Sequence, residues 1–425
     1  MEELTDTTFE QNFTCGKWNL TEKEETIQKV HGWWIQGLAS IIMGCVGVLV
    51  NIIMIIVLSS KEFRKIFFNK LIITLTISDI VFLIFNVYES LHLYFVETTY
   101  CGLPGYIQFF SYPSRKITMC FSIYMTVILT FERFSAVTNP ITHRSRTIGA
   151  SLTKQLLKYI SPVFFVSFVI FGGPLFFAFK MEEKTLNGNN ILTNPTNLSS
   201  EKPFEVSTTL EHAPEATMYC MTPWMRTNRM YILLYNNFTN FIITGAIPFL
   251  LLVCFNCKIY QAIRESLRTR QQLNIRQPSR TGSSIDVQDK GRDILQSLVL
   301  FGIVISFFVC HVLRVVLNME EIIYFEEINQ ITSMQQKLNV RCTGVQFWTM
   351  IAGDLSHFLL QVNSSINFFI YGYISAQFKK ALREKIFNCK CLRRPLPTSS
   401  QDNEEDTRNG VTIPLTEMIT DAENH

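Results

Sequence analysis

Seven stretches of this chain are long and apolar enough to cross a bilayer as helices. They run near Trp34–Leu58, Leu71–Phe95, Gln108–Phe131, Leu157–Phe179, Tyr231–Tyr260, Ile294–Leu317 and Phe347–Tyr373. A helix needs about 20 apolar residues to span the hydrocarbon core. Barrel strands need about 10 and alternate apolar with polar residues, so continuous runs of this length fit helices. Apolar residues make up 48% of the chain, charged residues 17%, and Phe alone contributes 35. That balance suits a polytopic membrane protein better than a soluble enzyme of two or three domains. The expected fold is all-α, a seven-transmembrane helix bundle over residues 34–373.

Basic residues orient the bundle. The first inner loop carries Lys61, Arg64, Lys65 and Lys70, and the second carries Arg144, Arg146 and Lys154. The third carries Arg264, Arg268, Arg270, Arg276, Arg280, Lys290 and Arg292. Loops rich in Lys and Arg stay in the cytoplasm, so seven crossings imply a multi-pass plasma-membrane protein with its N-terminus outside. Residues 1–33 then form an outer polar segment. No cleavable signal peptide is read there, because the first apolar run is too deep and too long. Sequons at Asn12, Asn19 and Asn197 fall on outer segments and are candidate glycosylation sites. Cys15, Cys101, Cys220 and Cys342 are also outside, where disulfides persist. Four cysteines allow three pairings; Cys101–Cys220 with Cys15–Cys342 is favoured. Cys45, Cys120, Cys254, Cys257 and Cys310 lie in the spans and read as packing residues.

Beyond the seventh span, Phe378, Ala381, Leu382, Lys385 and Ile386 share one helix face, while Lys379, Lys380 and Arg383 face elsewhere. Residues 374–391 thus read as a short amphipathic eighth helix on the inner leaflet. Cys389 and Cys391 close it and are candidate palmitoylation sites. Residues 392–425 turn polar, with Glu404, Glu405 and Asp406, and read as a disordered tail.

Charges inside or ending an apolar run are the candidate functional residues, because each costs roughly 3 kcal/mol or more at a lipid-facing bilayer centre. Glu132-Arg133-Phe134 ends the third run. Asp79 is centred in the second and must face the bundle interior. Asn51, Ser122, Asn363, Ser364 and Asn367 supply possible oxygen neighbours for a hard cation such as Na⁺, or for a proton. A neutral, hydrogen-bonded packing carboxyl is the alternative. Asn367 and Tyr371 are four apart and share a helix face. Pro248 removes a backbone hydrogen bond from the fifth span.

Together these residues resemble the rhodopsin-like class of G-protein-coupled receptors, over about Trp34 to Cys391. Glu132-Arg133-Phe134 is similar to the class's Asp/Glu-Arg-Tyr motif, and Leu75-Thr76-Ile77-Ser78-Asp79 to its span-two Asp motif. Asn367-Phe368-Phe369-Ile370-Tyr371 is similar to Asn-Pro-x-x-Tyr, with Phe368 in place of Pro. Within the class, Asn363-Ser364-Ser365-Ile366-Asn367-Phe368, Tyr112-Pro113 and Thr130-Phe131-Glu132-Arg133 with Ala136-Val137 and Pro140 resemble invertebrate FMRFamide-type neuropeptide receptors. The resemblance implies that Arg133 holds an inactive state, paired with Asp293, and then meets the G protein. It implies that Pro248, Ile123 and Phe307 connect the ligand pocket to the inner face. It also implies an allosteric sodium site at Asp79, Ser122, Asn363 and Asn367. The chain departs from the class at Cys310-His311-Val312-Leu313, which stands where Cys-Trp-x-Pro is usual. Span four lacks the usual Trp, Asn256 replaces a common Tyr, and Cys101 lies several residues early.

Arg115 occupies the span-three position where amine receptors carry an Asp, so a small cationic amine is rejected as ligand. Glu89, Arg314, Asp354, His357 and Gln361 lie near it by span depth and complete a mixed donor and acceptor set suited to a peptide. The alternative is that Arg115 and Glu89 only neutralise one another. The expected function is a receptor for an extracellular neuropeptide, amidated FMRFamide-like peptides being candidates, acting on a heterotrimeric G protein. Arrestin and membrane lipids are further expected partners; nucleic acid is not. A receptor for a non-peptide ligand, a peptide scavenger and a secondary transporter stay open, although no repeated halves are visible. No nucleophile–base or metal-ligand cluster supports an enzyme. Charge reversal at Asp293 is expected to raise ligand-free signalling, read as basal nucleotide exchange; unchanged exchange would remove the Asp293 lock.

Overall fold

The computed structural model describes residues 20–61, 63–96, 103–147, 151–173, 179–186, 216–223, 231–276, 284–327, 330 and 346–387. Helix α1 runs Glu22–Leu58, 37 residues, or about 55 Å at the usual helical rise. That exceeds the ~30 Å hydrocarbon core, so its first turns project beyond it. Thr21 starts the helix. Its backbone N–H donates to the Glu24 carboxylate at 2.8 Å and its hydroxyl accepts from the Glu24 N–H at 3.3 Å. This reciprocal cap satisfies two donors that a helix start otherwise leaves open. The segment 1–33 is therefore not all outer tail: its last turns are the start of α1, signalled by Thr21-x-x-Glu24.

Helix α2 spans Phe67–Val96 and α3 spans Leu103–Thr138. A short helix, α4, follows at Pro140–Thr147, and α5 runs Leu152–Gly172. Helix α6 covers 231–276 and α7 covers Ser284–Ile323. Helix α8 is Phe347–Ile374 and α9 is Ala376–Phe387. Six of these helices are long and apolar enough to span a membrane. Helix α8 is the seventh crossing. Its 28 residues suffice in length, but Asp354, His357, Gln361, Asn363, Ser364, Ser365 and Asn367 make it less apolar. Those polar side chains are tolerable because α8 packs on α7, α1 and α2.

The main contacts run α1 on α2, α2 on α3, α3 on α6, α6 on α7, α7 on α8 and α8 back on α1, with α5 against α3. The ring closes and α3 touches most of it. Its core includes Met54, Phe68, Leu71, Met125, Leu129, Leu252, Ile303, Phe307, Tyr371 and Phe378. Ser375 breaks α8 from α9, and its hydroxyl accepts the N–H of Phe378 at 3.2 Å. Phe378 is buried against Phe368 and Tyr371, so the apolar face expected of this helix is partly occupied by the bundle. The helix begins at Ala376 rather than at 374, and residues 388–391 lie outside the described residues.

Helix α5 begins and ends earlier than the expected Leu157–Phe179. Beyond it lies an antiparallel hairpin, β1 Phe179–Leu186 paired with β2 Ala216–Pro223, with Glu182 opposite Cys220. The apolar run is read to Phe179, and half of β1 is charged, so no alternation of apolar residues marks a strand there. Backbone pairing needs no apolar side chains, and β2 contributes Thr217, Tyr219 and Thr222, which favour strands. Of the cysteines assigned to packing, Cys120 and Cys310 are buried, whereas Cys45, Cys254 and Cys257 face outward. Cys15, Cys101, Cys342, Cys389, Cys391, Asn12, Asn19 and Asn197 lie outside the described residues, as does the side chain of Cys220.

Small residues let α1 approach its neighbours. A Cβ on Gly47 would stand 2.2 Å from Ser365 Oγ and 2.8 Å from Leu83 Cδ1, and one on Gly44 would stand 2.3 Å from Val87 Cγ2. Close helix approach of this kind is a main source of cohesion in a membrane, where burial from water contributes little. Gly47→Val is expected to overpack the α1–α2–α8 contact and cost about 1–3 kcal/mol, read as a lowered Tm of the detergent-purified protein. An unchanged Tm would mean that this contact does not hold the bundle.

Candidate functional site

Three polar clusters lie along α3. At the end bearing α9, Arg133 and Glu132 are only 4% and 2% exposed. Arg133 Nε donates to Glu132 Oε2 at 2.8 Å, and a second guanidinium nitrogen reaches the same oxygen at 2.7 Å. The other oxygen, Oε1, accepts from His143 Nε2 on α4 at 3.1 Å. Phe68 of α2 stacks beneath the guanidinium at 4.1 Å, a contact that stabilises a desolvated cation. Phe134 stacks on Phe255 at 5.6 Å, with Lys258 over its ring. Helix periodicity alone does not bring Glu132 to its own neighbour. His143 and Phe68, both missed by the sequence reading, fix that arrangement. The expected partner Asp293 lies in α7, and its side chain is outside the described residues.

At mid-depth, Asp79 is fully buried. Ser122 Oγ donates to its Oδ1 at 2.8 Å and Asn367 Nδ2 to its Oδ2 at 3.1 Å. The Ser364 hydroxyl shares the carboxylate. Asn363 is only half-buried and makes no described bond to Asp79. One residue is about 100° of helix turn, and that turn gives the place to Ser364. Asn51 Nδ2 donates to the Ser364 carbonyl at 2.9 Å, while Asn51 Oδ1 is buried without a described partner. As they stand, these groups donate to a hydrogen-bonded carboxyl; the carboxylate and hydroxyl oxygens are of the type a hard cation takes, and would have to turn from donating to coordinating to hold one.

Between these clusters, Pro248 and Ile123 are buried. Phe307 is too, with His311 stacked on it at 4.0 Å. His311 Nδ1 donates to the Phe307 carbonyl at 3.0 Å. Helix α7 is continuous through His311, as expected where no Pro removes a backbone hydrogen bond. In α6, wide turns over Tyr231–Ala246 give way to α-helix just before Pro248. Asn256 bonds back to its own helix at Leu252, 2.7 Å. Asn367 is committed to Asp79, and the Tyr371 hydroxyl, buried nearby on α8, has no described partner.

At the opposite end a small, half-open cleft lies between α1, α2, α3 and α8. Arg115 and Glu89 form an ion pair in it, so in this conformation the two charges do neutralise one another. Arg314 reaches His357 Nε2 at 3.4 Å. Asp354 is held from α1: His31 Nδ1 donates to Oδ2 at 3.1 Å and Gln36 Nε2 to Oδ1 at 2.7 Å. His31 and Gln36 belong to the part of α1 that the sequence reading left in the tail or took as plain span. Gln361 lines the cleft floor.

A seven-helix ring with a buried Glu-Arg clasp at one end and a polar cleft at the other has the form of a G-protein-coupled receptor. Residues 38–390 match the family described as Serpentine type 7TM GPCR chemoreceptor Srw, and the chain belongs to it. It is also similar to the FMRFamide receptor of Drosophila melanogaster, at 26% identity over 392 residues. That alignment takes in 89% of this chain and 58% of the relative, so the chain matches somewhat over half of that protein's length.

Glu132→Ala would leave a buried guanidinium without its counter-charge, at a cost of about 3–5 kcal/mol. The expected result is a clear fall in Tm of the purified protein, with a smaller fall for His143→Ala. Equal losses for the two variants would show that the clasp is held by α4 rather than by its own ion pair.

Proposed function

We propose that the protein is a plasma-membrane receptor, N-terminus outside, that binds an extracellular neuropeptide and promotes nucleotide exchange on a heterotrimeric G protein. The supporting observation is the succession along one helix of Arg115 in the cleft, Ser122 on Asp79, and Arg133 clasped to Glu132. A ligand that binds more tightly to one arrangement of this stack shifts the bundle towards it, by no more than its differential affinity. Arg133 folded onto Glu132 and Phe68 is the closed state in this reading. Releasing it presents a cation to the G protein at the inner face, beside the basic residues Arg264 and Arg268. Arrestin would meet the same face.

Asp79, Ser122, Ser364 and Asn367 would hold a sodium ion, which supplies positive charge to the buried carboxylate. The ordinary residues of the stack do the rest: they orient α2, α3 and α8 and keep water from the ion pair.

The peptide ligand is supported by the likeness to the FMRFamide receptor and by the mixed donors and acceptors of the cleft. The family's description as a chemoreceptor supports a second reading, a small non-peptide ligand. Cells expressing the full chain, challenged with a panel of short peptides and a panel of small organic chemicals, separate the two. G-protein dissociation in response to peptides is expected. A response to small chemicals alone would replace the peptide reading, and transport of a substrate with no G-protein response would remove both.

A further inference from the structure

Arg314 of α7 is a cation without a counter-charge of its own. Its side chain is half-buried beside the cleft, and the one hydrogen bond described for it runs from Nη1 to Nε2 of the cleft-lining His357, at 3.4 Å. A guanidinium only donates, so Nε2 accepts, and an imidazole that accepts is neutral. No carboxylate among the described residues forms an ion pair with Arg314. Arg115, Arg314 and Lys116 all bear electrostatically on His357. Against these cations stand Glu89, which is paired with Arg115, and Glu321, which is exposed and shared between Arg314 and Lys116. Asp354 is taken up by His31 and Gln36. The surplus of charge is positive, and it falls at Arg314. A desolvated charge without a partner is costly, and a ligand that brings the partner removes the cost.

We infer that Arg314, steadied by His357, is an anion subsite at the α7 side of the cleft, and that it takes a carboxylate of the ligand. The oxygens of a carboxylate match the flat guanidinium fork in parallel hydrogen bonds. The bond to His357 uses Nη1 and leaves the other N–H groups of the fork without described partners. An ammonium would be repelled by Arg314 and its neighbours. A neutral amide or hydroxyl would accept from the guanidinium but leave its charge unanswered. A peptide's C-terminal carboxylate, an Asp or Glu side chain and a small organic acid share the required chemistry. The inference rests on the reading of the cleft as the ligand site of a receptor, and it names the charge of the group that enters.

The test uses the full chain in cells and compounds made as acid and neutral twins. One arm holds short peptides as the free acid and as the methyl ester. A second holds peptide esters with Glu or Gln at an internal position, and a third holds small organic acids and their methyl esters. In at least one arm the acid is expected to be about 30-fold more potent than its twin in G-protein dissociation, the size of effect a desolvated charge pair gives. The arm that responds identifies where the carboxylate comes from. Arg314→Gln should bring the ratio close to one by weakening the acid alone. Arg314→Lys keeps the charge but loses the fork and should lower the ratio by a smaller factor. Surface display of each variant is measured alongside, so that the Lys variant reports if the Gln variant does not reach the membrane. A purely structural tie between α7 and α8 would change both twins equally. Equal potency of acid and neutral twins, or a ratio unchanged in whichever variant reaches the surface, overturns the inference and leaves the receptor standing. Silence towards every compound in all arms overturns the two together.

Discussion

A charged or amide side chain inside hydrocarbon has to find its hydrogen bonds within the protein, and this bundle is arranged around that demand. Asp79 of α2 is bonded by Ser122 of α3 and Asn367 of α8. Asn51 of α1 is tied to the backbone of α8 at Ser364. Each of these bonds crosses from one helix to another, so satisfying the polar groups also sets which helices are neighbours. Thr126 and Thr130 of α3 instead bond back to their own helix, which satisfies them without fixing any neighbour.

The clasp at Glu132 follows the same logic with higher stakes, since both members are charged. Buried ion pairs rarely add stability over apolar packing, but breaking one is costly. That asymmetry suits a device that must hold firmly and let go as a unit. The use of both carboxylate oxygens, one for Arg133 and one for His143, links α3 to the short helix α4. A movement of α4 therefore acts on the clasp directly. At the other end, α1 reaches past the hydrocarbon to hold Asp354 through His31 and Gln36. Both ends of the bundle thus carry a side-chain tie from a segment outside the apolar core.

Much of this could be read from residue types. The charges in apolar runs named Asp79, Glu132 and Arg133 because their cost demanded a purpose. Arg115 stood out by its matched position in the third span, and Glu89, His357 and Gln361 followed from sharing its depth, which survives folding because each helix crosses the bilayer once. The start of α1 is marked only by Thr21-x-x-Glu24, since the residues after it are polar and the apolar run begins later. Residue types offer both Asn363 and Ser364 as neighbours of Asp79, and only the rotation about the helix axis, one residue's worth, separates them. His143 and Phe68 had no local signal at all.

The sequence by itself determined the number of crossings, the class of fold and the depth at which each polar group lies. Those follow from the length and apolarity of each run, and hydrocarbon thickness is a fixed ruler. Only the tertiary structure decided which partner each polar group takes: His143 and Phe68 at the clasp, Ser364 rather than Asn363 at Asp79, His31 and Gln36 at Asp354. Those choices depend on the rotation and close approach of packed helices, set at places such as Gly44 and Gly47, and no single helix carries that information in its own residues.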